Sequence, residues 1–433
     1  MDTPSQNVLP EAETVHRELR STAILPVAPN AISSNWLAQA WLDRPGFAEI
    51  LACAVTALVY VATLSFGFVY DDVPQILKNQ AIHSWKFLPQ FFTAHVWAGI
   101  YPNSAGNYYR PIFLLWLRLN YALFGTDSAG WHLTSIACHV LATWLVFRVV
   151  RQLSANRSED RATAFVAALI FGLHPAHIEN VAWISGVTDP LMACFVMGSF
   201  SAFLGFRRSG GIWRAAWSMA LFALALLSKE TAIVLPVLVV AYLVIEGRHR
   251  HSWSGRPRAR DAGLPPKSEF GSIGLLAGFT AVALLYLAAR FYALRGWSHS
   301  TVTIGWREVF LSWPAVLWFY AKHLILPVRL SEFYALDYVS YFTASAVLRP
   351  LIFLLIAAIA VVLALFFIRE SPQRNLARFA LVFIVVPLLP VLDLRSLTAG
   401  DIVHDRYLYL PSIGFALLVA LLMRELAQRF LES

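Results

Sequence analysis

The sequence predicts an all-α, polytopic membrane protein with about 10–11 transmembrane helices. Of its 433 residues, 58% are hydrophobic and only 14% are charged, whereas soluble domains carry about 25% charged residues. Several apolar stretches reach the roughly 20 residues that a helix needs to cross a hydrocarbon core of about 30 Å. The stretches are continuous, and a transmembrane barrel would instead alternate apolar and polar residues along short segments.

The apolar stretches define one long membrane domain over residues 47–424. Residues 1–46 are mixed and polar with no apolar core near Met1, so they predict a disordered cytoplasmic tail rather than a signal peptide. Residues 425–433 are predicted to form a short tail. The predicted spans are 47–69, 130–150, 162–181, 189–206, 213–228, 231–246, 271–293, 308–327, 348–368, 379–394 and 407–423.

The distribution of Lys and Arg predicts the orientation. The segments 151–161, 207–214 and 247–270 are basic, and short basic loops stay on the cytoplasmic side. The N-terminus is therefore predicted inside, 247–270 is a basic cytoplasmic loop, and the loop 70–130 faces the periplasm or lumen. In a bacterium this would be the inner membrane. The net charge of +8 is explained by topology and by contact with membrane lipids, and it does not indicate nucleic acid.

Two regions do not fit a simple series of spans that alternately cross the membrane outward and inward. Aromatic residues crowd the segment 83–109, which predicts interfacial helices in the first outer loop. Eleven strict spans would place 369–378 outside, although its three arginines favour the inside. We therefore expect one of the segments 308–327 and 379–394 to be re-entrant or interfacial.

Known nucleotide and metal motifs are missing from the sequence. The cysteines Cys53, Cys138 and Cys194 lie in apolar runs and form no CxxC pair, so they are predicted to be core residues. The sequence holds no GxGxxG, P-loop, GxSxG or HExxH pattern. It therefore predicts no required cofactor, and a divalent metal is an alternative without a clear motif.

Polar residues gather at span ends on the predicted outer face. An ionisable side chain near the membrane costs free energy, so its presence there indicates function. The five clusters together supply carboxylates, histidines and cations. The clusters are "VYDD" at 69–72, "NYYRP" at 107–111, "HPAHIENVAWISGVTD" at 174–189, "SKET" at 228–231 and "HDRYLYLP" at 404–411.

Six motifs in order resemble one family. "FVYDD", "YYRP", "GWHL", "HPAHIENVAWISGVTDPL", "LLSKET" and "RYLYLPSIGF" are similar to motifs of the transmembrane-and-TPR-repeat O-mannosyltransferases, which are C-type (GT-C) membrane glycosyltransferases. The resemblance runs from about residue 55 to 423 and implies a GT-C-like fold. It also implies transfer of a sugar, with mannose favoured, from a polyprenyl-phosphate donor to a hydroxyl of a protein or glycan acceptor, with Ser/Thr of a protein favoured. This sequence ends at Ser433 without the TPR repeats that family members carry.

The family assigns the base role to the acid after the first span, which here means Asp71 or Asp72. Adjacent side chains cannot both face one pocket. Asp72 and Gln75 fit a capping box, so we expect Asp71 to be the base and Asp72 to cap a helix or support the site. In the alternative, both acids only cap a helix.

Three cations are predicted to hold the donor phosphate: Arg110, Lys229 and Arg406. A guanidinium offers a planar fork to phosphate and an ammonium offers a point charge. For Lys229 the alternative is an ion pair with Glu230, and for Arg110 it is snorkelling to the interface.

The segment 174–189 adds candidate site residues. His174 and His177 could share a helix face and bind a metal, but Pro175 interrupts the turn, so a polar loop that supports the pocket is the favoured interpretation. The resemblance implies that Glu179 and Asp189 are acids of the site. His132 and His139, spaced i and i+7, are predicted to pack against neighbouring helices.

Two other functions stay open at this point. The protein could transfer another sugar to a lipid or glycan, or it could be a transporter or flippase of polyprenyl-linked sugars. Transporters place substrate residues in broken helices near the midplane, with inverted repeats, whereas here the acids lie at span ends.

Overall fold

The computed structural model describes residues 44–102, 104, 106–154, 159–252, 268–297, 299, 304–369, 371–397 and 399–432. The predicted tail therefore lies outside the described residues up to position 43. The same holds for positions 253–267 of the predicted basic loop.

The described chain is helical, as predicted. In this part of the chain the structure has no strand, and a single isolated bridge joins Leu336 to Asp401. The helices are α1 (Phe47–Tyr60), α2 (Leu88–Thr93), α3 (Pro111–Phe124), α4 (Ser128–Leu153), α5 (Glu159–Gly172), α6 (Ile178–Ala182), α7 (Thr188–Ser209), α8 (Ile212–Ser228), α9 (Leu235–Ser252), α10 (Ser268–Leu294), α11 (Trp306–Ile325), α12 (Arg349–Phe367), α13 (Ser371–Val385) and α14 (Pro411–Glu432).

Seven helices of the described chain are long and apolar enough to cross a membrane, and an eighth is added if the bent pair Asp160–Gly172 and Pro175–Ala182 is one span. This count is lower than the ten or eleven predicted. The predicted spans outside it correspond to α8, which has 17 residues, to α11, which contains Arg307, Glu308 and Lys322, and to α14. The last of these runs to Glu432, past the predicted boundary at 424.

One end of the bundle gathers basic segments, and we call it the basic end. Arg207 pairs with Glu246 at 3.2 Å, and Arg424 pairs with Asp160 at 2.5 Å. Arg369 lies 4.0 Å from Glu425. The segment 369–378 therefore lies with 151–161 and 207–214, as its arginines favour, and α14 ends at the same end.

The opposite end gathers the polar clusters, and we call it the site end. Arg110 pairs with Glu230, Lys229 with Asp189 and Arg406 with Glu179. The sequence-predicted clusters thus share one end of the bundle. The loop 70–130, predicted to face outward, contains two short helices, α2 before Arg110 and α3 after it.

Helix α11 does not cross the bundle, because both of its ends contact the site end. At its start, the Arg395 guanidinium lies 3.9 Å from the centre of the Trp306 ring, and in its middle the Trp313 indole donates to the Leu392 carbonyl at 2.9 Å. Near its end, His323 Nδ1 lies 3.0 Å from an Asp405 oxygen. The expected re-entrant or interfacial segment is therefore 308–327, which restores the alternation of the spans that follow.

Small residues let the helices of the core approach closely. A Cβ on Gly414 of α14 would collide with the Ala380 carbonyl oxygen of α13, and one on Gly172 would collide with Thr56 Oγ1. Close packing of small residues is the usual means by which helices associate in lipid. The largest buried cluster includes Phe171, Phe200 and Phe222, and it fills the bundle beneath the site end.

Impermeant cysteine labelling tests the place of α11. In a background without the three native cysteines, we expect Ser104→Cys and Ser340→Cys to label from the same side, because both are exposed at the site end. Ser209→Cys, exposed at the basic end, is the control and should label only after permeabilisation. Labelling of positions 104 and 340 from opposite sides would show that α11 spans the membrane.

Candidate active site

Asp72 anchors the segment after the first span. Its carboxylate is fully buried and accepts hydrogen bonds from the Ser185 amide at 2.8 Å, the Ser185 hydroxyl at 2.6 Å and the Val69 amide at 3.2 Å. The predicted capping box with Gln75 is wrong. Asp72 does precede the turn Val73–Leu77, but its side chain accepts no bond from that turn, because a buried carboxylate binds the donors that Ser185 brings from across the fold.

Asp71 points to a different environment from Asp72. Its side chain is half-buried and interacts electrostatically with the Arg406 guanidinium. Burial raises the pKa of Asp71, and the positive charge of Arg406 opposes that rise. Of the two acids, Asp71 is the one that solvent and a ligand can reach, as the alternation of neighbouring side chains predicts.

Arg110 is held by Glu230. The guanidinium donates from Nε at 3.0 Å and from Nη2 at 2.6 Å to the two carboxylate oxygens, and it also lies 4.5 Å from the centre of the Tyr108 ring. Such two-point contacts fix the orientation of the side chain. The snorkelling alternative for Arg110 is therefore wrong.

Lys229 is held by Asp189 and not by Glu230. Its ammonium lies 2.7 and 2.6 Å from the two Asp189 oxygens, and the two side chains are only 3% and 5% exposed. Lys229 ends α8 in an extended conformation, which turns its side chain away from its neighbour in sequence. The predicted alternative of a Lys229–Glu230 pair is wrong for this reason.

Arg406 is the most accessible of the three cations. Its amide donates to Glu179 at 2.9 Å and its guanidinium donates to the same carboxylate at 2.5 Å, while 21% of its side chain stays exposed. The Tyr407 ring lies 5.2 Å from the Lys229 ammonium and 5.5 Å from the Arg406 guanidinium. Glu179 and Asp189, predicted as site acids, are thus the partners of two of the predicted phosphate-binding cations.

The histidines of the segment 174–189 have structural partners. His174 accepts the Ala176 amide at 3.3 Å and donates to the Leu324 carbonyl at 3.0 Å. His177 lies 2.8 Å from the Ser412 hydroxyl. Within the described ranges no three His, Cys, Asp or Glu side chains could hold a metal ion. His139 packs between helices as predicted, bonded to the Tyr409 hydroxyl and the Gly172 carbonyl.

The sequence did not identify several residues around Arg406. Glu332 and Asp401 both interact electrostatically with its guanidinium. Asp405 binds the Tyr334 hydroxyl and His323. Asp405 could have been found from its place beside Arg406 in "HDRY", but Glu332 lies in a segment without any recognisable pattern.

The arrangement can accept a proton and hold an anion at neighbouring positions. Asp71 is a half-buried carboxylate, and Arg406, which interacts with it electrostatically, presents a partly exposed guanidinium. Arg110 adds a second fixed guanidinium, with 15% of its side chain exposed. The buried Lys229 forms an ion pair with Asp189 and so neutralises that carboxylate.

The Lys229–Asp189 pair predicts a coupled effect on stability. Lys229→Met should lower the free energy of unfolding by about 3–5 kcal/mol, because it leaves a buried carboxylate without its counter-charge. Adding Asp189→Leu should recover most of that loss, since a buried pair is often replaced by apolar residues without cost. Thermal unfolding in detergent measures the two single variants, Lys229→Met and Asp189→Leu, and the double variant. Additive losses in the double variant would show that the two groups are not coupled.

Asp72 predicts a dependence of stability on pH. Burial raises its pKa to about 6, so between pH 4 and 6 the folded protein binds more protons than the unfolded chain. The free energy of unfolding then falls as pH rises through that window, by about 3 kcal/mol. Asp72→Asn does not titrate, so its stability relative to wild type should improve by about that amount from pH 4 to 7. A constant difference in melting across this range would contradict the prediction.

Comparisons with known proteins agree with the motifs. The family model described as dolichyl-phosphate-mannose-protein mannosyltransferase matches residues 109–258. A protein O-mannosyl-transferase of Caenorhabditis elegans is 26% identical over 88% of this chain and 52% of its own length. Protein O-mannosyl-transferase TMTC3 of Homo sapiens is 25% identical over 86% of this chain and 42% of its own length.

A shorter match has a higher identity. Protein O-mannosyl-transferase Tmtc1 of Drosophila melanogaster is 36% identical over 45% of this chain and 22% of its own length. The chain thus spans about half, or less, of the length of these relatives. No solved structure matches. These findings confirm that the chain, over most of its length, resembles the membrane module of the transmembrane-and-TPR-repeat O-mannosyltransferases.

Proposed function

We propose that the protein is a glycosyltransferase that moves mannose from a polyprenyl-phosphate donor to a hydroxyl of a protein, on the outer face of the membrane. The observation that carries this proposal is the grouping of Arg110, Lys229 and Arg406 with their carboxylates at one end of an apolar helical bundle, where Arg406 also interacts electrostatically with the half-buried Asp71. The names of the relatives, protein O-mannosyl-transferases, support mannose and a protein acceptor. The family-model match includes Arg110, Glu179, Asp189 and Lys229.

The proposed donor suits a site at the end of the bundle. A polyprenyl phosphate keeps its chain in the lipid and its phosphate near the interface, where ionisable side chains are tolerated. The leaving phosphate needs cations, which are worth most where water is excluded. Arg406 and Arg110 are the side chains with exposed area to contact it, whereas Lys229 is engaged by both oxygens of Asp189.

The transfer balances with these groups. The acceptor hydroxyl loses its proton to the Asp71 carboxylate as its oxygen forms a bond to the anomeric carbon of the sugar. The bond from that carbon to the phosphate oxygen breaks, and its electron pair leaves with the polyprenyl phosphate. The two guanidinium groups stabilise the charge that develops there. We propose that no metal is needed, since the charges come from side chains.

Substitution of Asp71 tests the base. Asp71→Asn keeps the size of the side chain but cannot accept the proton, so turnover should fall by roughly 10²–10⁴-fold while donor binding stays intact. Asp127→Asn is the matched control, because Asp127 caps α4 through the Ala129 amide and Asn caps equally well. The measurement is transfer of labelled mannose from its polyprenyl phosphate to Ser/Thr-rich peptides, in nanodiscs. Wild-type turnover in Asp71→Asn would remove Asp71 from the chemistry.

Substitution of the cations tests the phosphate site. Arg406→Met and Arg110→Met should each weaken donor binding by about tenfold to a hundredfold, since charge-assisted contacts are worth roughly 1.5–3 kcal/mol. Chelation of divalent metals should leave turnover unchanged. Equal donor affinity in both variants would contradict the assignment. If labelled mannose appeared on a lipid or glycan and not on the peptides, the acceptor would be a lipid or glycan and not a protein.

A further inference from the structure

A strap, which we define as residues 331–338, crosses the site end between α11 and α12. The Tyr334 hydroxyl donates to the Asp405 carboxylate and accepts the Ser331 amide. Leu336 pairs with Asp401 in the isolated bridge. One side of the strap is therefore fixed to the segment that leads into Arg406.

Further bonds tie the far part of the strap to the same region. The Tyr338 hydroxyl donates to the carbonyls of Leu394 and Leu397, each at 2.9 Å. The Gly400 amide donates to the Asp337 carboxylate at 3.3 Å. Because these bonds fix the backbone of the strap, its other side can hold a neighbouring residue in a defined position.

The other side of the strap touches Tyr70, the residue before Asp71. The Tyr70 and Phe333 rings meet edge to face with centroids 6.0 Å apart, and the Tyr70 hydroxyl interacts electrostatically with the Glu332 carboxylate. Glu332 also interacts electrostatically with both Asp71 and Arg406. The strap therefore contacts the segments that carry the proposed base and the proposed phosphate ligand.

Tyr70 adopts a backbone conformation that needs support. Its φ is +47°, in the left-handed region that residues with a Cβ seldom adopt and that costs free energy. The turn that follows is formed by bonds from the Asp72 amide to the Val69 carbonyl and from the Val73 amide to the Tyr70 carbonyl. The conformation at residue 70 thus decides where Asp71 points.

We infer that Glu332 and Phe333 are positioning residues, which hold Tyr70 in its left-handed conformation and so direct Asp71 towards Arg406. The inference rests on the proposed function for its catalytic meaning. Its structural content, that the strap orders residues 69–73, stands apart from any activity.

A series at position 70 tests the inference. Tyr70→Phe keeps the ring contact with Phe333 and loses the interaction with Glu332, so turnover should fall by less than in Tyr70→Ala. Tyr70→Ala loses both contacts and keeps the Cβ, so turnover should fall roughly tenfold to a hundredfold with donor affinity unchanged, as expected for a misplaced catalytic group. Tyr70→Gly should recover part of this loss, because glycine adopts positive φ readily.

Hydrogen exchange supplies a readout that needs no activity. The amides of Asp72 and Val73 should exchange faster in Tyr70→Ala than in wild type, by roughly tenfold, with Tyr70→Gly between the two. Glu332→Gln and Phe333→Ala should shift exchange in the same direction. Tyr341→Phe is the matched control, since Tyr341 lies exposed just beyond the strap.

The two readouts separate the inference from the proposed function. Unchanged exchange in Tyr70→Ala would overturn the inference even if the protein proves to be a mannosyltransferase. Faster exchange without any mannosyl transfer in wild type would overturn the function and leave the structural part standing. Faster exchange with wild-type turnover would show that the strap orders the turn but does not position the base.

Discussion

The pairing of buried charges is the constraint on which the site depends. A cation at the end of an apolar bundle is tolerated only if a carboxylate neutralises it, because an isolated buried charge costs several kcal/mol. Each pair here joins different parts of the chain. Arg110 reaches from the first outer loop to Glu230, Lys229 reaches from the end of α8 to Asp189, and Arg406 reaches from before α14 to Glu179. The same contacts that satisfy the charges assemble the site.

Pairing also fixes the directions of the two guanidinium groups. The Arg110 guanidinium donates two bonds to Glu230, and Arg406 donates one bond from its guanidinium and one from its backbone amide to Glu179, so each side chain already has a fixed direction. A group that is fixed in advance pays little reorganisation when charge develops next to it. For the proposed reaction, the entropy cost of fixing these side chains is therefore met when the bundle folds and not when the donor binds.

Sequence reasoning predicted the spans well and the partners poorly. Hydropathy identifies a stretch such as Ala344–Phe367 because lipid imposes the same requirement along its whole length. A pairing partner depends instead on backbone direction. Glu230 is the acid nearest to Lys229 in sequence, but the extended backbone at Lys229 leads its side chain to Asp189, 40 positions earlier. Asp72 likewise accepts hydrogen bonds from Ser185, 113 positions away, and not from the nearby turn.

Helix α11 shows the limit of hydropathy most clearly. It has 20 residues and an apolar middle, so its composition alone is compatible with a span. Its place is decided by contacts at both ends: Trp306 with the Arg395 guanidinium, and His323 with Asp405. Had it crossed, the arginines at 369 and 374 would have to lie at the site end, away from Glu425 and the basic segments. The positive charges of that loop and the polar contacts of α11 are therefore satisfied by one arrangement, in which Arg369 lies with Glu425 at the basic end and both ends of α11 lie at the site end.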